Sequence, residues 1–269
     1  MSVITISRGS FSGGKILAQC LCQRLGYRCI DRDVIVQRAA TLGASENELK
    51  HALEKPPGFL ERFQHNRYRY LALIQAALTE EVRTGRAVYH GLAGHLLLKG
   101  GLPILRTRII APLEVRVQML QERLNYTRSR AISYIDEVDA DRRKWTRFLY
   151  GVDWGDPSLY DIVLNLEYLT IDDACGIIAS TVAERCFKFT PECQQRMDDL
   201  ALGSRVRAAL AIDASTQDLE VEVIAHSGAV SLRGSVSTIA QIEDARRVAA
   251  GTPEVSSVDL SHLAPPLRA

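Results

Sequence analysis

The chain has 269 residues, 46% of them hydrophobic and 24% charged, with a formal net charge of +1 at pH 7. These values are typical of a globular protein with one large or two smaller domains. They give no electrostatic indication of a nucleic acid partner, and no apolar run reaches the ~18 residues needed for membrane insertion. The N-terminus shows no basic segment followed by an apolar one, so we expect no signal peptide and a cytoplasmic location.

The first predicted elements are a strand over Val3–Ile6 and a helix over Ile16–Leu25, joined by a glycine-rich loop. The loop Gly9–Lys15 fits the pattern G-x-x-x-x-G-K, in which backbone N–H groups and the helix N-terminus surround a phosphate. The next position is normally a Ser or Thr that holds Mg²⁺, and here it is Ile16. The residues predicted to bind a nucleoside triphosphate are Gly9, Ser10, Phe11, Ser12, Gly13, Gly14, Lys15 and Ile16.

Strand and helix patterns alternate from there to about residue 187. The predicted strands are Tyr27–Ile30, Ala87–His90, Ile104–Ala111 and Ile162–Asn165, and the predicted helices begin at Val34, Phe59, Leu113, Thr127 and Ile171. Strands separated by helices of this length predict parallel pairing and a doubly wound α/β sheet. Ligands bind at the carboxyl ends of the strands in such a sheet. Those ends carry Gly9–Lys15, Asp31–Asp33, Gly91 and Asn165.

The last part of the chain has a different pattern. A polar segment over residues 188–197 is predicted to be a linker. The elements that follow are a helix over Leu200–Leu210, strands over Leu219–Val223 and Ala229–Gly234 around a turn at His226–Gly228, a helix over Ile239–Ala250 and a strand over Glu254–Leu260. Helix, hairpin, helix and strand predict a small α+β module of the order αββαβ.

Four cations occur close together on the predicted helix that begins at Thr127. They are Arg142, Arg143, Lys144 and Arg147. Phosphoryl transfer needs positive charge on the moving group, and a mobile basic helix that closes over a triphosphate supplies it. The alternative is a solvated helix face with local ion pairs such as Asp139–Arg142.

Two further features permit two interpretations each, and a third concerns metal binding. The segment Gly151–Asp161 is rich in carboxylates and aromatics, and it is either part of a site or an ordered loop with Asx turns and a buried Trp154. Arg106 and Arg108 alternate on an otherwise apolar strand, so that one faces the cleft or both lie on a solvent edge. His90 and His95 have no other ligands at suitable spacing, and we expect no metal site formed by them.

Several separated motifs, taken together, resemble the cytidylate kinase-like family over residues 1–187. The matching pieces are Ile4-Thr5-Ile6-Ser7-Arg8, Gly13-Gly14-Lys15, Leu25-Gly26-Tyr27, Asp31-Arg32-Asp33, Ala111-Pro112, Val138-Asp139-Ala140-Asp141-Arg142, Asp153-Trp154, Asp156, Tyr160-Asp161 and Leu164-Asn165. The resemblance implies a P-loop kinase with a core, an acceptor-binding insert and a lid. The cofactors that it implies are ATP and Mg²⁺, and CMP is the simplest acceptor.

The resemblance also implies roles for individual residues. Lys15 together with Asp139 and Arg142 of the lid would be catalytic, with Arg142 on the transferring phosphoryl group, and Asp31, Arg32 and Gly91 would border the acceptor. Two departures bear on these roles. Ile16 replaces a hydroxyl residue, and the family element G-R-G reads Gly91-Leu92-Ala93, which lacks an arginine expected near the acceptor.

The C-terminal module resembles a BON domain over about residues 198–262. The matching pieces are Val206-Arg207-Ala208-Ala209-Leu210, Gly228-Ala229-Val230-Ser231-Leu232-Arg233-Gly234 and Pro253-Glu254-Val255-Ser256-Ser257-Val258. The resemblance implies binding of a small ligand or self-association, and the alternative is a packing module without a ligand. The domains are thus predicted at 1–187 and 198–265, with a linker over 188–197.

Three functions are compatible with the sequence. The first is an ATP-dependent nucleoside monophosphate kinase, with nucleotides as partners. The second is a non-catalytic nucleotide-binding regulator in which the C-terminal module senses a ligand. The third is a kinase that acts on another small molecule, because a fold does not determine a substrate.

Overall fold

The computed structural model describes residues 2–54, 64–91, 93–98, 100 and 102–264. Contacts divide these residues into two compact units. Unit 1 contains described residues up to 32 and between 85 and 189, and unit 2 contains those in 33–54, 64–84 and 190–264. The domain boundaries 1–187 and 198–265 stay predictions.

Eight strands occur in the described residues. They are β1 (Val3–Arg8), β2 (Arg28–Asp31), β3 (Ala87–His90), β4 (Ile104–Ile110), β5 (Ile162–Asn165), β6 (Glu222–His226), β7 (Ala229–Ser235) and β8 (Ser257–Ala264).

Ten α-helices connect or follow these strands in the described residues. They are α1 (Gly14–Leu25), α2 (Arg32–Ala40), α3 (Glu46–Glu54), α4 (Gln64–Val82), α5 (Gly94–Leu97), α6 (Leu113–Leu124), α7 (Arg128–Tyr150), α8 (Ile171–Val182), α9 (Pro191–Ile212) and α10 (Ile239–Ala250). The long helix predicted from Phe59 is α4, and its residues before 64 lie outside the described ones. Helix α3 was not predicted. No helix in the described part of the chain has both the length and the apolar character that a membrane span requires.

The sheet of unit 1 is parallel, with the spatial order β2-β3-β1-β4-β5. The predicted doubly wound α/β fold is therefore confirmed. Apolar side chains of β1, β3 and β4 form one core with residues of α1 and α8. Ile4, Leu17 and Leu105 are fully buried in it. This core fixes α1 against the sheet, so that the helix N-terminus lies at the carboxyl edge of β1.

Unit 2 contains the three-stranded sheet β6-β7-β8. Strands β6 and β7 pair antiparallel through a tight turn in which Ser227 (φ 48°) and Gly228 (φ 89°) adopt left-handed backbone. Two positive φ values in succession match the right-handed twist of the strands, and they favour a glycine. The predicted hairpin and the αββαβ order are confirmed, but the first strand of the hairpin is Glu222–His226 rather than Leu219–Val223, so His226 belongs to the strand and not to the turn.

Helix α9 corrects the predicted linker. Its first residue is Pro191, and the Thr190 hydroxyl accepts a hydrogen bond from the Cys193 N–H at 3.3 Å. Thr at the N-cap and Pro at the first helical position are a strong start signal. Residues 191–197 are therefore helical, and the helix expected from Leu200 begins nine residues earlier.

Helices α4 and α9 pack along each other within unit 2. Arg83, which follows α4, donates from Nε to Asp198 at 2.7 Å and from Nη2 to Glu254 at 3.1 Å. Arg207 donates to the side-chain oxygen of Gln75 at 3.1 Å. Helix α4, which precedes β3 in the sequence, is thus attached to the C-terminal module by side-chain packing and by ion pairs.

Glu254 provides a test of this attachment. Hydrogen bonds from Arg205 and then Arg83 lower the pKa of Glu254 to about 2. The stabilisation of the folded protein by the Glu254 carboxylate is therefore complete above the ordinary carboxyl pKa and is lost as the pH falls toward 2. Because the carboxylate is half-exposed, solvent screening limits that stabilisation to about 1 kcal/mol. We expect Glu254→Gln to lower the free energy of unfolding by about this amount at pH 7, and by less at pH 3.5.

Urea unfolding of the wild type and the variant at both pH values measures this difference. Glu243→Gln is the matched control, because Glu243 is an exposed acid of α10 that contacts Arg246. An equal effect of Glu254→Gln at both pH values would contradict the assignment of the stabilisation to its charge.

Candidate active site

The loop between β1 and α1 is folded by its own hydrogen bonds. The Gly9 N–H donates to the Ile109 carbonyl at 3.2 Å, and the Ser12 hydroxyl donates to the Gly9 carbonyl at 3.0 Å. Gly13 has a φ of +80°, and a Cβ there would lie 2.9 Å from the Cδ1 of Ile171. This position therefore requires glycine. The N–H groups that begin α1 have no intrahelical acceptor and are available to an anion.

Arg8 lies across the start of α1. A Cβ at Gly14 would stand 2.6 Å from the Cδ of Arg8, so glycine is what allows this approach. Lys15 and Ile16 follow, and both side chains are exposed. The cation predicted to contact the outer phosphates is therefore open to a ligand.

Asp139 of α7 binds the loop directly. Its Oδ1 accepts from the Ser10 N–H at 3.3 Å and also from the Ser10 hydroxyl. Its Oδ2 accepts from Arg116 of α6, which also donates from Nε to the Ser10 carbonyl at 2.7 Å. Burial alone would raise the pKa of Asp139, but the Ser10 hydrogen bonds and the Arg116 charge outweigh it and hold the pKa below its ordinary value.

Arg142 lies one helical turn further along α7 and faces the same loop. Its Nη1 donates to the Arg8 carbonyl at 2.9 Å. Burial, followed by repulsion from Arg8, lowers the pKa of Arg142 to about 10, against the opposing effect of Asp139. Arg116 and Arg32 add to the repulsion. We call Arg8, Arg32, Arg116 and Arg142 the arginine cluster; it is a concentration of positive charge suited to a polyphosphate.

The other cations of the predicted basic segment differ from Arg142. Arg143, Lys144 and Arg147 are exposed, whereas Arg142 is half-buried. Asp139 is not on a solvated face paired with Arg142, because its carboxylate contacts Ser10 and Arg116. Arg142 is thus the one of these four cations that is turned toward the loop, and closure of the basic helix over a triphosphate stays a prediction.

A pocket of 130 Å³ opens beside the loop. Its lining residues are Gly9, Arg108, Ile110, Ala111, Arg116, Asp139, Arg143, Trp154 and Gly155. The Arg108 guanidinium lies 4.0 Å from the centroid of the Trp154 ring and donates to the Trp154 carbonyl at 2.9 Å. Arg106, in contrast, pairs with Asp161 and is partly exposed. Arg108 is thus the cleft-facing member of this pair.

The loop before β5 is ordered by its carboxylates. Asp153 accepts from the Gly155 N–H and Asp156 from the Ser158 N–H, each at 2.8 Å. Trp154 is 8% exposed. The expectation of Asx turns around a buried tryptophan is confirmed, and because Trp154 also lines the pocket, the loop shapes the cleft as well.

The residues predicted to border the acceptor lie at the ends of β2 and β3. Asp31 is the register partner of His90 across these strands. A Cβ at Gly91 would stand 2.5 Å from the Tyr89 hydroxyl oxygen, so close packing requires glycine there. Arg32 belongs to the arginine cluster. Leu92, the departure noted in the sequence, lies outside the described residues.

Two residues of this site were not predicted from the sequence. Arg8 ends the segment Ile4–Arg8, which resembles the family, and Arg116 follows Ala111-Pro112 by one helical turn. Their proximity to the loop depends on the pairing of β1 with β4, whose register is Ile4 with Leu105. The available signal was their position at adjacent strands, because Arg8 is the last residue of β1 and Arg116 lies in the helix that follows β4.

The site offers few ligands of its own for a metal. No group of three or more His, Cys, Asp and Glu side chains placed to hold a metal occurs in the described ranges. Mg²⁺ in nucleotide sites is held largely by phosphates and water, with one or two carboxylates. The carboxylate of Asp31, at the end of β2, is of the kind required, whereas that of Asp139 is bound to Ser10 and Arg116 and Ile16 contributes no oxygen. The arginine cluster fits a triphosphate.

The fold and the loop define the class of protein: unit 1 is a parallel α/β fold with a glycine-rich loop between its first strand and its first helix. Residues 3–168 match the model of the cytidylate kinase-like family, and the chain belongs to that family. Residues 198–261 match the BON domain model.

Several relatives carry the name cytidylate kinase, and two of them illustrate the similarity. The one from Methanothrix thermoacetophila is 30% identical over 168 residues, which cover 61% of this chain and 87% of that protein. The one from Methanocaldococcus jannaschii is 31% identical over 111 residues, which cover 40% of this chain and 62% of that protein. An uncharacterized protein from Eubacterium ventriosum, solved by crystallography, superimposes with a TM-score of 0.55 at 17% identity, covering 68% of this chain and 99% of that one. The last similarity concerns the fold alone.

Proposed function

We propose that the protein transfers the terminal phosphoryl group of ATP to a nucleoside monophosphate, with CMP or dCMP as the simplest acceptors. The observation that carries this proposal is the convergence of Arg142 and Arg116, from two different helices, on the loop that ends in Lys15. Membership of the cytidylate kinase-like family and the relatives named cytidylate kinase support the choice of acceptor.

On the donor side, residues Gly9–Ile16 would hold the phosphates of ATP. The N–H groups at the start of α1 donate to the phosphate oxygens, and Lys15 contacts the outer phosphates. Bound Mg²⁺ would neutralise part of the charge of these phosphates, with the Asp31 carboxylate as a candidate protein ligand beside phosphate oxygens and water.

The transfer itself needs charge and alignment more than acid–base catalysis. An oxygen of the acceptor phosphate attacks the terminal phosphorus of ATP, and ADP leaves on the opposite side. Arg142 stabilises the charge on the equatorial oxygens. Arg116 would contribute to the same stabilisation once its ion pair with Asp139 is broken. Asp31, Arg32 and Gly91 would position the acceptor. No general base is required.

An acceptor screen tests the proposal. The full chain is incubated with ATP and Mg²⁺ and with CMP, dCMP, UMP or another nucleoside monophosphate, and ADP formation is measured. We expect turnover that depends on the acceptor and is fastest with a cytidine nucleotide. No turnover with any monophosphate by folded protein would rule the proposal out.

A second candidate is a nucleotide-binding regulator without transfer. It is favoured by the Asp139 carboxylate on the Ser10 N–H, because an acidic group then competes with phosphate for the loop. Calorimetry that shows nucleotide binding in the absence of turnover would support it. A kinase for another small molecule is the third candidate, motivated by Leu92, and a metabolite screen for ATP consumption tests it.

Asp139→Asn distinguishes two roles of this residue, competition with ATP for the loop and ordering of the loop for ATP. The neutral amide removes a negative charge next to the loop and weakens its hold on Arg116. We expect ATP to bind about fivefold more tightly, which corresponds to on the order of 1 kcal/mol of relieved repulsion. Calorimetry with ATP measures the affinity. Weaker binding would indicate instead that Asp139 orders the loop for ATP.

For the C-terminal module we infer a role in ligand sensing or self-association. Its BON domain match and its attachment to α4 support a role linked to the rest of the chain. Light scattering on the full chain, with and without nucleotide, reports whether it self-associates.

A further inference from the structure

His90, at the end of β3, has a defined direction in unit 1. Val88 belongs to the core that contains Leu17 and Leu21 of α1. Side chains two residues apart on a strand share a face, so His90 lies on the α1 side of the sheet. His90 is also two residues closer than Val88 to the carboxyl end of β3, and α1 begins at that edge of the sheet. His90 is therefore directed toward the start of the anion-binding helix.

The imidazole of His90 is buried but incompletely bonded. The residue is only 4% exposed, and among the described residues its Nδ1 has no hydrogen-bond partner. Buried polar atoms in native proteins nearly always have a partner, and exceptions mark positions where a water, an ion or a ligand supplies it. On the proposed function, the ligand at this edge of the sheet is the phosphate-bearing substrate.

The charges around His90 come from each neighbouring element. Burial lowers the pKa of His90 to about 4, repulsion from Arg8 of β1 and Lys15 of α1 contributes, and Asp31 of β2 opposes. The free protein thus holds a neutral imidazole at pH 7. An anion bound among Arg8 and Lys15 reverses the local potential and favours the protonated ring, which donates from both nitrogens.

We propose that His90 is an acceptor-binding residue whose Nδ1 donates a hydrogen bond to the phosphate of the bound nucleoside monophosphate. The proposal rests on the proposed function and names a further residue of the same site.

Two variants of His90 test the proposal. Asn places an amide near the position of Nδ1 and keeps a donor there, whereas Leu removes it. We expect His90→Leu to weaken CMP binding to the full chain about tenfold, the effect of losing one charge-assisted hydrogen bond, and to leave ATP binding unchanged. His90→Asn is expected to retain most of the CMP affinity. Calorimetry measures both ligands, and circular dichroism checks the folding of each variant.

Proton uptake on binding distinguishes a contact of His90 with the ligand from a purely structural role. If CMP binding protonates His90, the wild type takes up more protons on binding than His90→Asn does. Calorimetry in two buffers of different ionisation enthalpy measures that difference. His226→Leu is the control, because His226 is an exposed histidine of unit 2, and it should change neither CMP affinity nor proton uptake.

The possible outcomes distinguish this proposal from the proposed function. Equal CMP affinity of the wild type and His90→Leu would overturn the role of His90 while leaving turnover to support a kinase. CMP binding without transfer would overturn the kinase, and the comparison of variants would still decide the role of His90. Absence of binding by any nucleoside monophosphate would overturn both.

Discussion

Replacement of Arg142 by alanine is expected to lower kcat about 1,000-fold, with a much smaller change in the KM for ATP. An arginine that stabilises charge on a transferring phosphoryl group contributes a factor of this size or more. Arg142 is half-buried beside Arg8, and its pKa of about 10 keeps it charged at neutral pH. The effect falls on kcat because the charge that Arg142 meets develops in the transition state.

Steady-state kinetics with ATP and the preferred acceptor measure this effect. Arg147→Ala is the matched control, since Arg147 lies on the same helix and is exposed. Arg142→Lys should recover little activity, because an ammonium cannot reproduce the forked contact of a guanidinium. A rise in KM for ATP with kcat unchanged would show that Arg142 only binds the donor.

The second large effect is expected at Lys15. Lys15→Ala should lower kcat/KM between about 100-fold and 1,000-fold, because one positioned donor to developing charge contributes that much. Nucleotide affinity should also fall, since the exposed ammonium at the start of α1 contacts the outer phosphates in the ground state as well.

The control for Lys15 is Lys188→Ala, which removes an exposed lysine elsewhere in unit 1. ATP affinity is followed by calorimetry and turnover by ADP release. Unchanged nucleotide affinity in Lys15→Ala would remove the main support for both the kinase and the nucleotide-binding regulator.

Local signals in the sequence were enough to predict the loop and the sheet. The β-branched run of β1, the glycines that follow it and the start of α1 lie within about 20 residues, and their meaning depends on short-range geometry. The parallel order of the strands followed from the alternation of elements. The ends of the strands then indicated the region of the site.

Contacts between distant segments could not be predicted. The sequence left Arg106 and Arg108 equivalent, and only the packing of Asp161 and Trp154 against β4 distinguishes them. The bond between Asp139 and Ser10 joins residues 129 positions apart. The start of α9, unlike these long-range contacts, had a local signal in the sequence. Thr190 and Pro191 are a typical helix start, but the polar composition of the segment led to the prediction of a linker.

The packing of α4 on α9 has a consequence for biosynthesis. Ribosomes add roughly 5 to 20 residues per second. Helix α4 ends at Val82 and α9 begins at Pro191, so α4 is complete for roughly 5 to 20 s before its partner is made. During that interval the nascent chain presents the face of α4 that packs on α9 without its native partner. Nascent chains arrested between these helices are therefore expected to engage chaperones, and chains arrested after α9 has emerged are expected to be released from them.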